Sequence, residues 1–230
     1  MSDAATTPDV QPPPSDAERR ALGRWALFHL GAGAAVAVGG FLAGSQALKA
    51  DALDFLGIGS IAAIALAGIG RDHTWRSRAA LAQAVVQGLL AFMIIIAALY
   101  RMTGERVPQP AVMALFAVGA FAANAVFAWR VLKDLGGSGA GGGAAGGGDA
   151  GGIAIGGVGA AAVWRQGRAE MIEDAAIVVA ALVVWLANAA WADCLVAAVI
   201  AAPLLRSSWT TMLDSRGTLD GANRRRRRVG

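Results

Sequence analysis

One cysteine (Cys194), two histidines (His29 and His73) and one tyrosine are spread over 230 residues. A lone cysteine excludes an internal disulfide framework and any multi-cysteine zinc module. Two histidines exclude a His-rich metal loop. Charge is also scarce: Asp, Glu, Lys and Arg make up 16% of the chain and hydrophobic residues 56%, where a soluble domain carries about a quarter charged residues. A single water-soluble core is excluded on this composition, and so is disorder over most of the chain, which needs low hydrophobicity. No nucleophile–base arrangement, cofactor motif or soluble catalytic domain is present, so an enzyme is not expected. A mean hydropathy of +0.53 belongs to an integral membrane protein.

A helix crosses a bilayer with about 20 mostly apolar residues. Three runs without charge meet that length: Trp25 to Leu48 (24 residues), Ala79 to Tyr100 (22) and Val107 to Trp129 (23). Pro108 and Pro110 open the third, where a helix tolerates proline. Three further runs are interrupted. Phe55 to Gly70 needs the segment before it, which holds Asp51 and Asp54. Ala175 to Ala192 follows directly on Glu170, Glu173 and Asp174, and Cys194 to Leu205 is followed by Arg206. The pattern predicts six all-α membrane spans, at 25–46, 48–70, 79–101, 108–132, 166–188 and 192–213. Residues 1–21 are polar and Pro-rich and read as a disordered tail rather than a secretory signal peptide. The six-helix domain then occupies 22–213, and 214–230 is a basic tail.

The basic residues sort by side. With six spans, 17 of the 20 Lys and Arg fall on the side of the termini, leaving Lys49, Arg101 and Arg106 on the other. Cytoplasmic loops collect Lys and Arg, which predicts cytoplasmic termini and a bacterial inner (plasma) membrane protein. Trp25, Trp129, Trp191 and Trp209 lie near span ends and suit an interfacial aromatic belt. Between the fourth and fifth spans, Gly136 to Gly159 holds 14 glycines in 24 residues. About 134–160 is a cytoplasmic flexible linker. A phosphate-cradling loop would need a preceding strand and a following Lys-Ser/Thr, and has neither.

Acidic groups within apolar helices are costly to bury and mark functional sites. Asp51 and Asp54 are three apart on the second span and share a face. Glu170 and Asp174 are four apart on the fifth and share another, with Glu173 between. Two helices that each carry carboxylates one turn apart converge several oxygens on one point, which is a cation site. Ligation needs deprotonated carboxylates, so protons and metal compete there. Asp51, near Lys49, also suits a capping or interfacial charge, and Glu173 also suits a headgroup-facing charge or a pair with Arg168. Asn124, and Gln83 with Gln87, suit interhelical hydrogen bonds. His29, near the cytoplasmic end of the first span, suits a structural role, and His73 a solvated loop.

These residues also resemble a family. The stretch Ser45-Gln-Ala-Leu-Lys-Ala-Asp-Ala-Leu-Asp54-Phe-Leu-Gly is similar to the second span of the cation diffusion facilitators, and Glu170-Met-Ile-Glu-Asp174-Ala-Ala to their fifth. Trp191-Ala-Asp-Cys-Leu-Val-Ala-Ala-Val-Ile-Ala-Ala, followed by Ser207-Ser-Trp209, resembles the sixth span of small members, and Ala122-Ala-Asn124-Ala the fourth. The likeness runs in order from about Trp25 to Leu213 outside the Gly-rich insert. It implies export of a divalent cation, commonly zinc, cadmium or cobalt, against protons, with no permanently bound cofactor. The family site has two x-x-x-Asp pairs, and carried over residue by residue it implies metal ligands Asp54, Glu170 and Asp174, with Asp51 and Glu173 auxiliary.

Two departures stand out. Ile58 occupies the fourth ligand position and cannot ligate. Asp51 cannot replace it, being about 10 Å away along the helix. Three oxygen ligands suit harder cations such as manganese or magnesium, whereas zinc sites commonly include nitrogen or sulfur. Only 17 residues follow Leu213, too few for the cytoplasmic metal-sensing domain of most members. Hence the expectation is a small form without that domain, in which any homodimer must form through the membrane helices. Partners are the lipid bilayer and the transported ion. The run Arg224 to Arg228 suits anionic headgroups or a solvated tail, and lacks the aromatic interleaving of a nucleic-acid site. The alternative to transport is a degenerate structural or regulatory membrane protein descended from that family.

Overall fold

The computed structural model describes residues 16–104, 106–137 and 160–229. Among them the chain forms six helices and no strand: α1 (Asp16–Ala43), α2 (Gln46–Ala67), α3 (His73–Met102), α4 (Pro110–Gly137), α5 (Ala160–Ala187) and α6 (Trp191–Val229). The Gly-rich linker expected over 134–160 lies outside the described residues from 138 to 159, as does the first part of the N-terminal tail, 1–15. Helix already starts at Asp16, inside the stretch read as a polar tail, and α6 runs on through the basic residues to Val229.

The helices alternate in direction. At one end the Ala43 carbonyl accepts from Gln109 N–H at 2.8 Å, joining the end of α1 to the start of α4. The Arg101 guanidinium at the end of α3 donates to the Gly44 carbonyl there. At the other end Gly23, early in α1, faces Leu66 late in α2, and Gly167, early in α5, faces Ala128 late in α4. The beginning of α1 and the end of α6 therefore share one side of the bundle, as six crossings require.

α2 is the central helix and touches all five others. Its small residues Ala47, Ala50, Ala52 and Ala62 are buried along with Leu48 and Phe55. Glycine permits the closest approach. A Cβ on Gly59 would stand 2.9 Å from the Leu30 backbone nitrogen, and one on Gly40 would stand 3.1 Å from that of Lys49. The α1 and α2 backbones are thus in contact, the small-residue packing of membrane helices. Gly44 makes the turn between them at φ +66°, a conformation that costs glycine little.

The periphery is apolar. Leu27, Phe41, Tyr100, Leu115, Trp185 and Val199 are exposed, a surface that in water would be a large interaction patch and that in a bilayer is simply the lipid-facing side. Among the described residues five helices are long and apolar enough to cross a membrane, and α5 is not one of them. The expected fifth crossing drew on the uncharged run to Ala192, but α5 ends at Ala187 and Trp191 already begins α6. The other half of α5 carries Arg165, Arg168, Glu170, Glu173 and Asp174. We read it as the sixth crossing because its buried acids face protein rather than lipid.

Two side-chain expectations change. Trp25 is not a belt residue: it is buried, stacked on His29 with ring centroids 4.7 Å apart and edge-on to Phe127 at 5.4 Å. Trp129, Trp191 and Trp209 are exposed, as a belt requires. Gln83 and Gln87 bond to each other along α3 rather than between helices; i, i+4 spacing makes that partner the nearest one.

Candidate metal centre

The six helices bring the intramembrane acids to α2 and α5. Asp51 is fully buried, and its Oδ2 finds no hydrogen-bond partner among the described residues. It is therefore neither interfacial nor the cap of α2. Ser45 is that cap, accepting from Leu48 N–H at 3.1 Å. Asp54, one turn on, is half-buried. Across from them Glu170 and Asp174 are buried on one face of α5, as their spacing implies, and Glu173 is half-buried. Asp51 and Asp54 each stand within electrostatic reach of α5 acids. Glu173 lies within the same reach of Asp54, Glu170 and Asp174. No partnership between Glu173 and Arg168 is formed in the described structure; the Glu173 Oε2 has no hydrogen-bond partner there.

Two acids are held by neighbours that sequence alone gave little weight. Asn124 of α4 donates from Nδ2 to Asp174 Oδ2 at 2.8 Å, while Asp174 Oδ1 and Asn124 Oδ1 remain buried without partners among the described residues. Glu170 Oε1 lies 3.1 Å from His29 Nε2 and accepts from Gln166 Nε2 at 3.0 Å. So α1 and α4 join the site. Among the described residues no three His, Cys, Asp or Glu side chains stand close enough together to hold one ion between them. His29 and Glu170 are the pair in direct contact, and the remaining acids surround them.

Ile58 faces a different environment. It packs on the cluster of Trp25, Ala26 and Ala62, with Phe127 and Val131 alongside. An apolar side chain is at home there, and a carboxylate at 58 would enter an apolar wall.

The chain matches the cation efflux transmembrane domain over residues 24–219. That stretch includes part or all of every helix and every acid named above. The chain belongs to the cation efflux family. It is a membrane-embedded transporter of the cation diffusion facilitator type, and members of that family move cations rather than catalyse reactions. No curated protein matches the chain.

For this cation efflux protein the acids divide by environment. Asp174 and Glu170 are positioned by named donors, Asp54 faces them from the central helix, and Asp51 and Glu173 sit one turn to the side. Asn124 orients Asp174 much as an outer partner orients a metal ligand. Such partners are worth about 10–100-fold in metal affinity. Asn124→Leu is expected to weaken divalent-metal binding by about 10-fold with little change in membrane insertion, as titration of purified protein will show. Undiminished binding would remove Asn124 from the site.

A second group missed in the sequence is Asp193, buried in the first turn of α6. It accepts from Gln46 N–H at 2.8 Å, Ala47 N–H at 3.1 Å and the Ser45 hydroxyl. The unpaired amides that open α2 are thereby answered by a carboxylate from another helix. Only the resemblance to the sixth span, through Trp191-Ala-Asp193, could have flagged it.

Proposed function

We propose that the protein exports a divalent cation from the cytoplasm in exchange for protons, with Asp54, Glu170 and Asp174 as the ligands shared between α2 and α5. The observation that carries this reading is the burial of Glu170 and Asp174 on one face of α5, opposite Asp54 of the central helix, inside a cation efflux domain. Acids at membrane depth are retained where they meet a charged substrate. Carboxylates bind metal only when deprotonated, so each ion that enters displaces protons and each proton that returns ejects the ion. A bundle that exposes the site alternately to its two sides turns that competition into antiport. The basic residues gathered at the side of the termini support a cytoplasmic location for both. Asp51 and Glu173 set the local field and relay protons.

The test is metal flux in proteoliposomes loaded with zinc, cobalt, cadmium or manganese under an imposed pH gradient. Saturable flux that collapses when a protonophore dissipates the gradient is the expected result. Flux indifferent to the gradient would exclude antiport. The absence of any flux or metal binding would favour the non-transporting descendant.

A further inference from the structure

We propose that His29 is itself a ligand of the transported cation, bringing from α1 the nitrogen donor that stands in for the carboxylate missing at position 58. This rests on the transport reading above and adds to it a determinant of selectivity.

The hydrogen bonds of the ring set its protonation pattern. His29 Nδ1 lies 2.9 Å from the Trp25 carbonyl oxygen. A carbonyl only accepts, so Nδ1 carries the hydrogen and the neutral ring presents its lone pair from Nε2. A metal-binding histidine is typically arranged in this way, with its far nitrogen donating to a backbone carbonyl. That lone pair points at Glu170 Oε1, 3.1 Å away. Two acceptors facing each other at this distance need a positive centre between or beside them. Two donors each about 2.05 Å from one ion stand about 2.9 Å apart at a right angle and about 3.3 Å apart at the tetrahedral angle. The observed spacing falls between these values.

The ring is also fixed before any ion arrives. It is 1% exposed, stacked on Trp25, and met edge-on by Phe28 at 5.1 Å and Phe127 at 5.8 Å. Ligands locked by packing bind with less ordering cost. Ile58 rests on the same Trp25 cluster, so the nitrogen reaches the site beside the position where the family pattern would place an oxygen. Asp54 stands within electrostatic reach of both His29 and Glu170. One turn from Glu170, Asp174 is wholly buried and keeps Oδ1 without a partner among the described residues. Rotation of the Asp54 and Asp174 side chains brings both to the same ion. One imidazole with three carboxylates moves the site away from manganese and magnesium and towards zinc and cobalt.

The experiment uses the full chain in lipid nanodiscs, with cobalt(II) and zinc as probes and manganese as the competitor. Wild type is expected to give cobalt visible bands, and His29→Gln is expected to alter those bands and lower the zinc-over-manganese preference at least about 10-fold. Glutamine retains a hydrogen-bonding partner for Glu170, so a purely structural histidine would leave band shape and preference unmoved; that result overturns the proposal. If wild type binds no metal, the transport reading itself fails. Should His29→Gln not fold, X-ray absorption of zinc-loaded His73→Gln decides the matter, because His29 is then the sole imidazole. Imidazole scattering at the metal upholds the proposal, and an all-oxygen shell overturns it.

Discussion

Asp174→Asn is expected to abolish metal flux, with the protein still in the membrane at wild-type level, and Asp54→Asn to do the same. Asparagine has nearly the shape of aspartate, so the packing of α5 against α4 survives. What disappears is the negative charge and the exchangeable proton. Asp174 is the most constrained acid: it is wholly buried, oriented through Oδ2 by Asn124 and unpartnered at Oδ1 among the described residues. A partner that only orients a ligand is worth about 10–100-fold in affinity, so losing the ligand itself should cost about 100-fold or more. Flux into proteoliposomes is the readout, with detergent-extracted yield as the control for folding. Asp51→Asn and Glu173→Gln should each cost less, about 10-fold or under, because these groups tune the field without holding the ion. Flux persisting in both Asp54→Asn and Asp174→Asn would end the carboxylate-site reading.

Asp193→Ala is expected to destabilise the fold by about 3 kcal/mol, the cost of breaking a buried, charge-assisted hydrogen-bond network. The carboxylate receives two backbone N–H groups of α2 and the Ser45 hydroxyl. It also places a negative charge at the positive end of the α2 dipole. Removal leaves those donors unanswered at a buried helix start and loosens the grip of α6 on the central helix. For a chain of this size the thermal midpoint in detergent should fall by about 6–12 °C. Asp193→Asn keeps the size and one acceptor and should fall about half as far. An alanine variant as stable as wild type would show that water or the chain itself satisfies the α2 amides. Because the acids of the metal centre sit on α2, a loosened α2 should also weaken metal binding in the alanine variant.

Membrane class, helix count and the pairing of Glu170 with Asp174 were legible in the sequence, because each follows from a local rule. About 20 apolar residues cross a bilayer, and residues four apart on a helix share a face. The charge sorting of loops added the even count, and the alternation of helix directions agrees with it. What the sequence could not decide were the relations between helices. His29 reads as a lone histidine near a span end until α5 places Glu170 against it. Asp51 reads as a plausible interfacial charge until α2 proves to be the central helix, which buries every face. Trp25 follows the belt pattern by position, yet its ring turns inward because His29 and Phe127 offer it a stacking surface. Asp193 has no local signature, since the helix it caps begins almost 150 positions earlier. Sequence periodicity specifies which face of a helix is apolar and where its charges lie; only the packed bundle specifies what those charges meet, because contacts between helices depend on backbone approach at glycines such as Gly59 and on side chains far apart in the chain.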